Sequence, residues 1–332
     1  MTRLVQLRRG QQRAVAVVNE PSVRLLDGID SIYALAQSAL IAGAGLSELI
    51  SRQATGESLA YDSIYEGKSP WSLLLPIDHP AESARCLVSG TGLTHLGSAK
   101  NRNAMHAATE VETDSMKMFR WGVEGGRPAP GRIGVAPEWF YKGTGAILRA
   151  PGEPLDVPPY AEDGGEEAEI AGVYLVDSLG HPRRIGMAIG NEFSDHKFEK
   201  KNYLNLAGSK IRTCALGPEL AIDPAFQSVQ GTVSIERAGK TLWSQAIATG
   251  EAEMCHSLAN IEHHHFKFET HRRPGDVHVH YYGACSLSFG AGIALADRDV
   301  MIIAFDGFGR ALRNPLRVLA RSVAPITVQP FA

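Results

Sequence analysis

Apolar residues recur at helical spacing near the start of the chain. Asp30 or Ser31 can cap the N-terminus of a helix there, because both side chains accept hydrogen bonds from backbone N–H groups. Gly43 and Gly45 interrupt the pattern and weaken the helix at that point. The apolar positions are Ile32, Leu35, Ala36, Ala39, Leu40, Leu49 and Ile50. The pattern predicts one amphipathic helix that is broken or weakened near its middle.

Prolines divide the chain near residue 80. A short strand is predicted at residues 14–18, and residues 67–80 contain Pro70, Pro76 and Pro80. Closely spaced prolines are typical of a connector, since proline lacks a backbone N–H and fixes its own φ angle. We therefore predict a small N-terminal α/β domain at residues 1–80 and a larger domain at residues 81–332.

Beyond residue 80 the pattern changes from helical to strand-like. Short β-branched runs, such as residues 171–176 and 300–305, alternate with turn signals such as Pro151-Gly152 and Asp306-Gly307. Runs of this length between turns are typical of strands. The predicted fold class is α+β and mainly β.

Two glutamates stand at alternate positions at the start of one predicted strand. Glu167 and Glu169 share a face in an extended strand, whereas Ala168 and Ile170 face the other way. Two carboxylates on one face repel each other unless a cation neutralises them, and hard divalent cations prefer oxygen ligands. The alternative is a solvated acidic edge that continues from Glu162, Asp163 and Glu166, because charge runs usually face solvent.

A third carboxylate ends the next predicted strand. The uncharged residues 185–190 run into Asn191 and Glu192, and residues 177–184 contain Gly180 and Pro182 and predict a turn. Antiparallel pairing would return Glu192 to the first two glutamates. A shift of one residue in register would turn it to the opposite face, so the sequence leaves the convergence open.

Composition narrows the kind of partner. The 332 residues carry 33 Lys plus Arg and 36 Asp plus Glu, a formal net charge of −3. This balance gives no electrostatic footprint for nucleic acid or for an anionic membrane. The longest apolar stretch, residues 32–50, includes Gln37 and Glu48 and is too polar and too short for a comfortable membrane span. We expect a small-molecule partner, no nucleic acid and no membrane.

Cysteine spacing and the N-terminus bear on location. The four cysteines form no CxxC pair, which fits neither a disulfide framework nor a zinc ribbon. Arg3, Arg8 and Arg9 are followed by no apolar segment of the kind that secretory signals contain. We therefore expect reduced thiols and a cytoplasmic protein.

An ordered set of motifs resembles a known family. The Glu167-x-Glu169 pair is followed by Gly-x-x-x-x-Asn-Glu-x-Ser at residues 186–194, and this order is similar to the metal-binding core of the fumarylacetoacetate hydrolase family. Further segments that resemble the family are Gly90-Thr91-Gly92-Leu93-Thr94-His95, Pro137-Glu138-Trp139-Phe140-Tyr141-Lys142-Gly143, Ser209-Lys210, Leu216-Gly217-Pro218, Pro274-Gly275-Asp276-Val277 and residues 309–314. The resemblance covers roughly residues 85–315.

The chain is also similar to the bacterial branch of that family described as 2-keto-3-deoxy-sugar-acid dehydratases and found with pentose catabolism. Residues 89–99, 191–196 and 287–290 carry this finer resemblance. It implies a mixed β-roll catalytic domain, a homodimer, and metal ligands Glu167, Glu169 and Glu192. The implied ion is Mg²⁺, with Mn²⁺ or Ca²⁺ as alternatives.

The resemblance further implies a reaction. The substrate would be a 2-keto-3-deoxy sugar acid such as 2-keto-3-deoxy-arabinonate, dehydrated through a metal-bound enolate to a 2-oxoglutarate semialdehyde-type product. Lys210 is the first candidate for the base, with a purely structural role about as plausible, and His95 is the second catalytic candidate. Glu192 serves both the metal and the catalytic site. The expected substrate contacts are Thr94, Lys142, Ser209 and His196.

Departures from the family pattern keep other functions open. Glu192 replaces the commoner Asp, His196 replaces an Arg in many relatives, and Ala284 replaces a frequent Thr. Ser98 stands where hydrolases of the family have a carboxylate that orients the histidine, which favours dehydration, although Glu110 or Glu112 could supply the acid. The alternatives are hydrolysis of the C–C bond of a 2,4-diketo acid and a silent sugar-acid-binding or assembly protein.

Histidines are conspicuous late in the chain. His263, His264, His265 and His271 precede the alternating pair His278 and His280, and alternate histidines on a strand can bind a metal ion. No carboxylate is clearly placed among them, so packing or a dimer contact is the preferred interpretation. The segments Gly90-Thr91-Gly92 and Gly143-Thr144-Gly145 lack the remainder of any nucleotide-binding fingerprint.

Overall fold

The computed structural model describes residues 1–53, 55–97, 113–320 and 324–331. Within these ranges the protein is mainly β, with two mixed sheets, as predicted. In chain order the strands are β1 (Arg3–Arg9), β2 (Gln12–Asn19), β3 (Ser22–Leu26), β4 (Thr55–Ala60), β5 (Ser72–Leu73), β6 (Cys86–Gly92), β7 (Glu138–Thr144), β8 (Leu148–Arg149), β9 (Leu155–Val157), β10 (Ala168–Val176), β11 (Pro182–Asn191), β12 (Cys214–Leu216), β13 (Leu220–Ala221), β14 (Val229–Arg237), β15 (Lys240–Thr249), β16 (Val277–Tyr281), β17 (Val300–Phe305) and β18 (Leu312–Val318).

The helices are short and lie around the sheets. In the described ranges the α-helices are α1 (Ile32–Ala42), α2 (Leu46–Arg52), α3 (Tyr61–Tyr65), α4 (Asp114–Gly125), α5 (His196–Lys201), α6 (Leu206–Lys210) and α7 (Leu258–Phe266). Short 3₁₀ turns are found at Ser83–Arg85, Gly145–Ile147, Tyr203–Asn205, Glu269–His271 and Ser288–Ala291.

The predicted amphipathic helix is broken, as its two glycines allow. The Ser31 hydroxyl caps α1 by accepting the Ala34 N–H at 3.2 Å. Gly43 ends α1 in the left-handed conformation, with φ of 61°, which glycine adopts without steric cost. Helix α2 then begins at a bend of 102°. Over the described residues, no single helix has the length and apolar character to cross a membrane, and α1 and α2 meet those criteria only when counted as one bent pair.

The N-terminal strands extend the larger sheet. Thirteen of the described strands form this sheet, whose main order is β4-β3-β2-β1-β13-β11-β10-β16-β6-β7. Strand β1 pairs antiparallel with β13, with Arg3 opposite Ala221. The first 80 residues also have a buried cluster of their own, which includes Val5, Tyr61 and Trp71. The domain boundary near residue 80 stays a prediction.

The second sheet covers one face of the first. Its order is β15-β14-β17-β18-β9. Ile170 and Ile189 of the larger sheet share one core cluster with Val233 and Ile303 of the smaller sheet. The opposite face of β10, which carries Ala171 and Val173, packs in a different cluster. The central pair β10 and β11 is therefore buried on both faces.

Strands β10 and β11 form the antiparallel pair that the sequence predicts. Their turn is shorter than the predicted residues 177–184, because Pro182 already pairs with Val176. The Asp177 carboxylate accepts the N–H groups of Leu179 at 2.9 Å and His181 at 2.8 Å, which closes the turn. These bonds let the hairpin reverse in five residues, 177–181.

Candidate active site

Three glutamates converge where β10 begins and β11 ends. Ala168 lies opposite Asn191, and the Glu192 N–H donates to the Glu167 carbonyl at 3.0 Å. Glu167, Glu169 and Glu192 each offer a carboxylate oxygen, and these atoms lie within 4.8 Å of one another. Their exposed fractions are 7%, 1% and 0%. The alternative of a solvated acidic edge is wrong for these side chains.

Two buried lysines partly balance this charge. Lys210 Nζ lies 2.5 Å from Glu167 Oε1 and 2.5 Å from Glu192 Oε2. Lys142 Nζ donates to Glu192 Oε1, to the Phe193 carbonyl at 3.2 Å and to the Lys210 carbonyl at 2.8 Å. If every group is ionised, three carboxylates meet two ammonium groups, and one negative charge is left without a lysine.

Within the described part of the chain, Glu169 is the carboxylate without a lysine partner. Among the described residues it accepts one hydrogen bond, from the Gly283 N–H at 2.7 Å, and no side-chain cation donates to it. Burial, followed by the charges of Glu192 and Glu167, raises the pKa of Glu169 well above its ordinary value. Burial also raises the pKa of Glu167, but Lys210 and His196 outweigh it and hold that pKa well below the ordinary value.

The donor set fits a hard divalent cation. Three buried carboxylates at mutual distances under 4.8 Å are an oxygen-only set, and one of them lacks a cationic partner. Mg²⁺ binds through carboxylates and keeps several waters, so it needs few protein ligands. A divalent ion would also remove the repulsion that raises the pKa of Glu169.

His196 links the carboxylates to a cavity. Its Nε2 lies 3.2 Å from Glu167 Oε1, and its Nδ1 is buried without a hydrogen-bond partner among the described residues. Burial lowers the pKa of His196, but the hydrogen bond and charge of Glu167 outweigh burial and raise it. The ring centroid lies 5.2 Å from that of Phe289, which lines a cavity of about 410 Å³ together with Lys197 and Lys200. A positively charged His196 would partly replace the arginine that the resemblance implies.

His95 lies in a second, smaller cavity. The Thr94 hydroxyl donates to the Tyr282 carbonyl at 2.8 Å, so at 2.8 Å from His95 Nδ1 it must accept a proton from that nitrogen. His95 Nε2 lies 3.0 Å from the Thr249 hydroxyl. Burial lowers the pKa of His95 to about 4, so the ring is neutral at pH 7. The cavity, of about 210 Å³, is also lined by Glu253.

Thr94 and Ser209 have protein partners of their own. Gly283 lies between Thr94 and Glu169, because a Cβ on Gly283 would come within 2.0 Å of Thr94 Oγ1 while its N–H binds Glu169. The Ser209 hydroxyl donates to the Leu206 carbonyl at 2.7 Å within α6. The substrate-binding roles of Thr94, Lys142, Ser209 and His196 stay predictions. Ser98, Glu110 and Glu112 lie outside the described residues.

Solved structures resemble the whole chain, although no family model and no curated protein matches its sequence. A 2-keto-3-deoxy-D-arabinonate dehydratase complexed with magnesium and 2,5-dioxopentanoate superposes with a TM-score of 0.72 at 18% identity, over 96% of this chain and 99% of that one. A 5-carboxymethyl-2-hydroxymuconate delta-isomerase from Mycobacterium smegmatis superposes with a TM-score of 0.56 at 16% identity, over 96% of this chain and all of that one, 100%. The chain has the fold of the fumarylacetoacetate hydrolase family. The fold expected from the motif resemblance is thereby confirmed.

Several residues that the sequence interpretation did not single out support the site on this fumarylacetoacetate hydrolase fold. The Ser194 hydroxyl donates to Glu192 Oε2 at 2.9 Å. Glu166, assigned to the acidic edge, is fully buried and accepts both the N–H and the hydroxyl of Ser288 at 2.7 Å. Ser194 and Ser288 belong to the motifs that resemble the family, so the sequence contained a signal for them. No sequence signal pointed to Gly283, because its contact with Glu169 spans 114 residues of sequence.

Proposed function

We propose that this protein is a divalent-metal-dependent hydro-lyase that dehydrates a 2-keto-3-deoxy sugar acid, such as 2-keto-3-deoxy-arabinonate, to a 2-oxoglutarate semialdehyde-type product. The observation that carries the proposal is the buried set of three carboxylates with the Lys210 ammonium group 2.5 Å from two of them. The fold likeness to a dehydratase complexed with magnesium supports the same class of chemistry.

The carboxylates of Glu167, Glu169 and Glu192 would hold Mg²⁺, with Mn²⁺ or Ca²⁺ as alternatives. When bound, such an ion polarises a 2-keto group and stabilises the negative charge that develops when C3 loses a proton. Lys142 would position Glu192, because it donates to Glu192 Oε1 and is itself anchored by the Phe193 and Lys210 carbonyls. Ser194 restrains the other oxygen of Glu192.

Lys210 Nζ would move the proton. The Glu167 and Glu192 carboxylates, each 2.5 Å from Nζ, favour the ammonium form of Lys210. If these carboxylates shared their charge with a bound cation, the neutral amine would become more favourable and could accept the C3 proton. The C4 hydroxyl departs with a proton as water, and the unsaturated keto acid rearranges to the semialdehyde. The proton that leaves with the hydroxyl would come from the Lys210 ammonium group formed in the first step. His95 stays the second catalytic candidate, and its neutral ring, with the proton on Nδ1, has the Nε2 lone pair for accepting a proton.

A second candidate is hydrolysis of the C–C bond of a 2,4-diketo acid. The observation that favours it is that His95 and Glu253 line one cavity, since a histidine with a nearby carboxylate can activate water. Dehydration needs no such water, so the two functions predict different products from different substrates.

The test incubates purified protein and Mg²⁺ with 2-keto-3-deoxypentonate and, separately, with a 2,4-diketo acid. Semialdehyde from the first supports the proposed hydro-lyase, and pyruvate from the second supports the hydrolase. The matched control pair is Glu169→Gln, which removes a buried ligand charge, and Glu162→Gln, which makes the same change at a half-exposed acid. Product that survives in Glu169→Gln, or no product from either substrate, would contradict the proposal.

The proposed enzyme would be a cytoplasmic homodimer of pentose catabolism. These properties rest on the motif resemblance, and light scattering on the purified chain tests the dimer.

A further inference from the structure

A group of histidines that the proposed chemistry does not use lies where α7, the 3₁₀ turn Glu269–His271 and β16 meet. His265 comes from the helix, His271 from the turn, and His278 and His280 from the strand. His265, His278 and His280 are at most 1% exposed, and His271 is half-buried. Burying so many imidazoles requires partners for their ring nitrogens.

His280 has two such partners and needs no ligand. Its Nδ1 lies 2.8 Å from the Ser89 hydroxyl, and its Nε2 lies 2.7 Å from the Thr91 hydroxyl. These bonds tie β16 to the parallel strand β6. The packing interpretation from the sequence therefore holds for His280.

His271 presents a free lone pair. Its Nδ1 lies 2.7 Å from the backbone carbonyl of His265. A carbonyl can only accept, so the proton is on Nδ1 and the lone pair of the neutral ring is on Nε2. A hydrogen bond from Nδ1–H to a backbone carbonyl is the arrangement that commonly orients metal-binding histidines.

His278 has a buried nitrogen without a partner. Its Nδ1 lies 2.9 Å from His265 Nε2, but its Nε2 has no hydrogen-bond partner among the described residues. His265 Nε2 and His278 Nδ1 share one proton across their 2.9 Å contact, so an ion bound by these two nitrogens would replace that proton.

The three rings are spaced as in a shared coordination sphere. Their centroids lie 4.8 Å apart for His265 and His271, 5.0 Å for His265 and His278, and 5.5 Å for His271 and His278. Each offers a nitrogen, and these atoms lie within 4.8 Å of one another. Tetrahedral zinc with Zn–N distances of about 2.0–2.1 Å places ring centroids roughly 5 Å apart.

We propose that His265, His271 and His278 form a second metal site, which takes a transition-metal ion of the Zn²⁺ class and differs from the carboxylate site in its ligand chemistry. Imidazole suits zinc, nickel and copper, whereas carboxylates suit Mg²⁺. Half-buried His271 gives the site an entrance and leaves a fourth position for water. In the neutral ring His265 Nδ1 accepts the Trp139 indole N–H at 3.2 Å. When Nε2 binds the ion, Nδ1 carries the proton, and the Ser89 hydroxyl at 3.4 Å would replace Trp139 as its partner.

Such an ion would have a structural effect. It joins helix α7 and the following turn to β16, and β16 pairs with β10, the strand that contains Glu169. Because the ion binds the folded chain, it stabilises that chain by mass action.

The test uses tag-free protein, stripped with a chelator and titrated with Zn²⁺ in excess Mg²⁺, with bound zinc measured by mass spectrometry after desalting. We expect one zinc ion per chain in the wild type and in Glu169→Gln. His271→Ala should weaken zinc binding at least about 100-fold, because even the loss of an outer-sphere partner costs about 10–100-fold. His271 lies on a half-buried turn, so its variant should fold, which circular dichroism checks.

His181→Ala is the matched control, because the His181 side chain is 62% exposed and lies outside the cluster. It should bind zinc like the wild type. Co²⁺ should give the visible absorption of a tetrahedral nitrogen site in the wild type and lose it in His271→Ala. Zinc binding that is unchanged in His271→Ala, or that is lost in Glu169→Gln, would overturn the proposal.

Discussion

Replacement of Lys142 by methionine tests the charge balance of the carboxylate site. The Lys142–Glu192 ion pair is 0% exposed on both sides, so Lys142→Met leaves a buried carboxylate with less compensation. Breaking a buried ion pair from one side costs about 3–5 kcal/mol. Two backbone carbonyls, of Phe193 and Lys210, also lose a donor. We expect the free energy of unfolding to fall by at least about 3 kcal/mol.

The same substitution at an exposed pair provides the control. Lys201 pairs with Glu162, and these side chains are 60% and 35% exposed. Exposed pairs contribute about 0–1 kcal/mol, so Lys201→Met should change the free energy of unfolding by at most about 1 kcal/mol. Urea unfolding followed by circular dichroism and tryptophan fluorescence measures both variants. Equal losses would refute the claim that Lys142 compensates a buried charge.

Three further predictions concern the site and its surroundings. Glu169→Gln should lower Mg²⁺ affinity and turnover at least about 100-fold while the fold is kept, as measured by calorimetry and product formation. His95 is buried neutral with a pKa of about 4, below the 6.5 of an exposed histidine, so the unfolded chain binds more protons between these values. The free energy of unfolding should therefore fall by about 3 kcal/mol as the pH is lowered from 6.5 to 4, because protonation of His95 favours the unfolded chain. In His95→Asn this part of the pH dependence should be flatter. Gly283→Ala should reduce turnover, because φ is 104° and the new Cβ would lie 2.0 Å from Thr94 Oγ1; wild-type kinetics in this variant would contradict the close packing.

The local sequence predicts the strands and the alternation that form the site, but it does not predict the long-range contacts that complete it. Alternation placed Glu167 and Glu169 on one face, and the glycines broke the first helix where the structure breaks it. Contacts such as Ser288 with Glu166, separated by 122 residues, leave no local pattern because chain topology sets them. The burial of the three glutamates could not be predicted either, because a run of acidic residues is usually exposed to solvent. The two lysines that compensate their charge come from elements distant in sequence.

A β-bulge explains why the register could not be fixed from the sequence. Near the turn Tyr174 lies opposite Arg184, but Val173 lies opposite Gly186, so β11 contains one extra residue between these pairs. If the register nearest the turn continued, Glu167 would lie opposite Asn191, and Glu192 would point to the other face. The bulge shifts the pairing by one residue and places Glu192 opposite Glu167. The Glu192 N–H, 3.0 Å from the Glu167 carbonyl oxygen, shows this register. An irregularity near the turn of the strand pair, away from the three glutamates, thus aligns the carboxylates, as bulges near functional sites often re-aim a side chain.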